Sequence, residues 1–76
     1  MKYWDLVEKC LVEFHRFNAA DAHIVALRYK TNLILNGCDI GCAENEEAFY
    51  MACSVAGKEV REPTEDESKI YNKLLI

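Results

Sequence analysis

Residues 18–37 read NAADAHIVALRYKTNLILNG, and how this stretch folds decides the architecture of the chain. Asn18 is placed to cap a helix N-terminus, with Asp21 in the position of a capping-box acid. Gly37 follows the last periodic residue and can take the left-handed conformation that ends a helix. Between them stand only three formal charges, Asp21, Arg28 and Lys30. At about 100° per residue the side chains sort into four strips. Asp21, Arg28 and Asn32 share one narrow polar strip, and His23 and Lys30 share another, roughly opposite. One apolar strip holds Ala20, Ile24, Leu27, Thr31, Ile34 and Leu35; the other holds Ala19, Ala22, Ala26, Tyr29 and Leu33.

A surface helix needs one apolar strip, so two strips predict cover on both sides, with the other helices arranged around this one. The alanine strip suits a closely approaching helix, because small side chains shorten the interaxial distance. That helix could belong to the same chain, to a second copy or to a partner. Ala22, Ala26, Tyr29 and Leu33 are therefore the candidate self-association interface.

Upstream, Tyr3 to Phe17 reads as an amphipathic helix. Tyr3, Val7, Cys10, Phe14 and Phe17 follow a 4-3-4-3 spacing, with Asp5, Glu8, Lys9, Glu13 and Arg16 opposite and only Val12 out of place. Continuing its phase would put Asp21, Arg28 and Asn32 in line with Val7 and Phe14, so a turn is expected at Asn18. Downstream, Gly37–Cys42 (GCDIGC) is expected to be a short connection. A third helix is expected from about Ala43, with Glu44, Glu46 and Glu47 in its first turn, to an end near Gly57–Arg61. Pro63 marks a boundary, and Thr64-Glu65-Asp66-Glu67 is a capping box opening a short fourth helix that runs to the C-terminus. No alternating β-branched run or hairpin dipeptide competes. The expected fold is all-α: one domain over residues 1–76, a small four-helix bundle-like arrangement with the first two helices long and antiparallel and the last short.

Seventy-six residues give a small domain with little stability to spare, and 51% of them are apolar. Some of that apolar area is expected to remain exposed or to meet a partner. The net charge of −4 is uneven: residues 1–38 carry five basic and four acidic side chains, residues 39–76 four basic and nine acidic. So negative a second half disfavours direct nucleic-acid binding and suits a basic partner protein. No apolar run approaches the ~20 residues of a membrane span, and no secretory signal is visible, so a cytoplasmic protein away from the membrane is expected.

Candidate chemistry is sparse. Cys38 and Cys42 stand four apart, without the two-residue spacing or second ligand pair of a zinc site, and nearby glutamates oppose a thiolate. They are the weak candidates for a thiol or metal site. Cys10 and Cys53 fall on apolar faces and read as small core residues. His15 borders the apolar face of the first helix and His23 lies on the minor polar strip of the second, with no Ser or Cys at a recognisable catalytic spacing. His23, Arg28 and Lys30 form the one basic concentration near an aromatic ring. Yet Arg28 and Lys30 point about 160° apart, so an anionic ligand such as a nucleotide would have to lie between subunits. A helix-turn-helix reading conflicts with the three glutamates opening the third helix. The expectation is a non-enzymatic interaction module without a cofactor, an adaptor or inhibitor that self-associates through its second helix. It would offer Glu44, Glu46 and Glu47 to a basic or nucleic-acid-binding protein.

Overall fold

The computed structural model describes residues 2–75. The described residues form five helices and no strand: α1 Tyr3–His15, α2 Ala19–Leu35, α3 Ile40–Ala43, α4 Ala48–Val55 and α5 Glu65–Leu74. The all-α expectation holds.

α1 and α2 are separate helices, as the clash of phases requires. α1 ends at His15, and Arg16 takes the left-handed conformation at φ 61°. That is an uncommon state for a side chain of this size. Asn18 then caps α2, its Oδ1 accepting from the Asp21 backbone N–H at 2.8 Å. At the far end of α2, Gly37 has φ 78°, and the Cys38 N–H reaches back to the Leu33 carbonyl at 2.9 Å. This is the Schellman arrangement, and α4 ends in the same way at Gly57.

The third expected helix is shorter at both ends. Part of GCDIGC winds into the single turn α3, with Asp39 Oδ1 accepting from the Gly41 N–H. Glu44, Glu46 and Glu47 lie before α4 rather than in its first turn, and Glu47 is the N-cap residue. Its carboxylate makes no cap bond, because Glu47 Oε2 accepts instead from Tyr71 Oη at 2.9 Å. Glu44 Oε1 accepts from Trp4 Nε1 at 3.2 Å. Tertiary bonds thus hold this acidic segment outside the helix that its charges would favour.

The capping box of α5 is complete: Thr64 Oγ1 accepts from the Glu67 N–H, and Glu67 Oε1 accepts from the Thr64 N–H. α5 stops at Leu74 with Leu75 as its cap; Ile76 lies outside the described residues.

The centre of the structure is α1, not α2. α1 packs on α2, α4 and α5, and its face of Val7, Cys10 and Leu11 is fully buried. α4 contributes Ala48, Phe49, Met51, Ala52 and Cys53 to the same cluster, α2 contributes Ala22 and Ala26, and α5 contributes Tyr71. Phe49 anchors it, meeting Phe14 edge-on at 5.0 Å and Tyr71 at 6.1 Å between ring centroids. Edge-on pairs add about 0.5–1.5 kcal/mol beyond the burial itself. α1 takes the centre because its buried face carries larger side chains than the alanine strip of α2, and a core forms where the most apolar area can be removed from water.

Candidate functional site

The two apolar strips of α2 have opposite fates. Ala22 and Ala26 are buried among the chain's own helices, and Tyr29 and Leu33 are half-buried beside them. Ala22 and Ala26 thus serve packing within the chain, while Ala19, Tyr29 and Leu33 on the same strip keep part of their surface open. Small side chains do permit a close approach, but the helix that approaches is α1.

The other strip is open. Ile24 is 50% exposed, Leu27 55%, Ile34 53% and Leu35 77%, with Ala20 and Thr31 exposed between them. The expectation that α2 is covered on both sides therefore fails within one chain. Residues 20, 24, 27, 31 and 34 follow a 4-3-4-3 spacing, which draws them into a single seam along the helix. The signal that marks this face was in the sequence: large aliphatic side chains at the period of a helix-pairing seam. The alanine strip suits close packing too, but it does so in the interior.

The seam has two unlike margins. On one side His23 Nδ1 sits 3.1 Å from Glu8 Oε1, and Lys30 Nζ lies 6.0 Å over the Trp4 ring. Both basic groups are thereby engaged by α1. On the other side stand Asp21 and Arg28, both exposed. His23, Arg28 and Lys30 are not brought together, since Arg28 lies across the seam. The groove beside His23 and Lys30, about 430 Å³, is also lined by Lys2 and by three carboxylates, those of Asp5, Glu8 and Glu44. Those carboxylates cancel the field that an anion would need.

The expected acidic edge is only partly free. Glu44 is half-buried and bonded to Trp4, and Glu47, though exposed, is bonded to Tyr71; Glu46 is exposed. Burial and the bond to Glu47 push the Tyr71 phenol up to about 12. Tyr3, whose buried hydroxyl has no partner among the described residues, is raised by burial and by Glu46.

Cys38 and Cys42 are exposed free thiols, and Cys42 Sγ lies 3.6 Å from Asp39 Oδ2. Among the described residues, no three His, Cys, Asp or Glu side chains gather as a metal set. Cys10 and Cys53 sit in the core, where burial, with Cys53 nearby, pushes the Cys10 thiol up to about 12. A thiol so raised is a poor nucleophile at neutral pH. His15 is half-buried, its basicity lowered by burial and by Arg61 and Lys58.

Arg61 was not singled out by sequence. It grips Glu67 through both guanidinium nitrogens at 2.6 and 2.8 Å and lies 5.5 Å over the Phe49 ring. The segment between α4 and α5 is held by this residue. No helix is long and apolar enough to cross a membrane among the described residues. Compared with protein-family models, curated proteins and solved structures, the chain matches none.

Proposed function

We propose that this chain is a small acidic docking module, an adaptor or inhibitor of the cytosol rather than an enzyme. It would bind a protein partner through the outer face of α2. In this reading α1 and α2 are antiparallel members of a four-helix bundle-like domain, and α2 presents its seam outward. The observation that carries the proposal is the exposure of Ile24, Leu27, Ile34 and Leu35 on one face of one helix. Together they leave on the order of 400 Å² of contiguous apolar surface, a size that marks interaction sites. Lone exposed aliphatic residues need no explanation, but four aligned on a helix do. Glu46 and the acidic second half of the chain favour a basic partner, through the rate and selectivity of encounter more than through affinity.

A photo-crosslinking side chain placed at Leu27 or Ile34 in living cells tests this. Protein adducts are expected at both positions and not at the exposed Asn72 of α5. Equal yields at all three positions would remove the reading.

A further inference from the structure

We infer that the outer face of α2 is covered by a second copy of this chain, antiparallel to the first, in a two-fold dimer. The inference rests on the docking reading above and makes a second copy the occupant of the α2 face; a basic partner would then meet the acidic edge at Glu46 instead.

The first support is surface area. A folded monomer of this mass exposes about 4,700 Å². This chain exposes 5153 Å², an excess comparable to the α2 patch itself. In the register described below, residues 19–32 of α2 overlap, a contact line of about 21 Å that leaves Ile34 and Leu35 beyond its end. Burying the paired part of the seam with its margins on two copies would remove on the order of 1,000 Å² in total, the size of a weak, transient interface.

The second support is self-complementarity. A two-fold dimer applies the same patch to itself, so the patch must tolerate its own charges. In an antiparallel pair about an axis between the levels of Ile24 and Leu27, Ile24 of each copy meets Leu27 of the other. Asp21 of one copy then stands beside Arg28 of the other, and symmetry repeats the pair. Both side chains are exposed at the seam's free margin, and among the described residues Arg28 makes no ion pair. Sliding one helix by a heptad would set Arg28 against its own copy, and a parallel pair would set His23 against Arg28. Charge thus selects one orientation and one register. On the opposite margin Lys30 of one copy comes near His23 of the other, and Glu8, 3.1 Å from each His23, offsets the basic charge there. Thr31 within the seam limits affinity, as a polar group at a core position does.

Sedimentation equilibrium of the full chain, from about 1 μM to about 1 mM, tests the inference. The wild type is expected to pass from monomer to dimer within that range. Leu27→Glu is expected to stay monomeric with an unchanged helical circular dichroism spectrum, because Leu27 is not part of the monomer's core. Arg28→Asp is expected to weaken the dimer by about threefold to tenfold, and adding Asp21→Arg to recover most of that loss. A wild type that stays monomeric throughout, or a dimer that survives Leu27→Glu, overturns the inference. A charge swap without recovery overturns the antiparallel register. If the wild type is monomeric while a crosslinker at Leu27 still captures another protein, self-pairing falls and the docking reading stands.

Discussion

Glu67 carries more of the local order than any other single carboxylate among the described residues. It receives both nitrogens of Arg61, accepts from the Thr64 backbone N–H and so completes the α5 cap. Those bonds, with Arg61 first, hold its carboxyl down at about 2, against an ordinary value of 4.5. As pH falls, the unfolded chain binds this proton before the folded chain does. The stabilisation is therefore complete above about pH 4.5 and is lost as pH falls toward 2. His15 acts on a higher window in the same direction. Its basicity is depressed on folding, so its contribution is complete above pH 6.5 and begins to fall away below that value. In urea unfolding, the wild-type midpoint is expected to drop between about pH 5 and about pH 3, and Glu67→Gln to flatten that drop. An equally steep fall in the variant would show that other carboxylates dominate. The Thr64 box was legible because its donors and acceptors lie within three residues of one another. Arg61 was not, because its partners, Phe49 and Glu67, are set by the path of a segment without regular structure.

Among the helices, α4 and α2 make the clearest contrast. α4 is only eight residues long, yet five of them are buried. A helix this short has no independent stability and exists by virtue of its packing. Phe49→Ala is expected to cost about 3–5 kcal/mol, which is most or all of what a chain of 76 residues has. Thermal unfolding would read this as the loss of a cooperative transition. Ile34→Ser on the open face of α2 is expected to change the monomer's stability by no more than about 0.5 kcal/mol. A large loss there would mean that Ile34 is packed within one chain. The length of α2 was legible because Asn18 and Gly37 bound it by local bonds. The late start of α4 was not, because Glu44 and Glu47 are drawn away by Trp4 and Tyr71, which are far off in sequence.

For the whole molecule, the balance between interior and surface is the telling quantity. The chain is half apolar, but among the described residues the largest fully buried side chains are Phe49, Leu11, Val7, Cys10 and Cys53. A domain with so small a core gains from association, because each copy that pairs removes further apolar area from water. If α2 pairs with itself, Tm must rise with protein concentration. A differential scanning experiment across a hundredfold dilution is expected to show that rise in the wild type and not in Leu27→Glu. A Tm independent of concentration in both would leave the seam without a role in stability.

By itself the sequence determined where helices begin and end wherever the signal is local. Asn18 with Asp21, Thr64 with Glu67, and Gly37 close their bonds within a few residues, so no knowledge of the rest of the chain is needed. It also determined that α2 has two apolar faces. Only the tertiary structure decided which of them is inside. Both faces satisfy the helical period equally, and the choice turns on how near α1 can come. Ala22 and Ala26 let it come close, and Ile24 and Leu27 are left to the water.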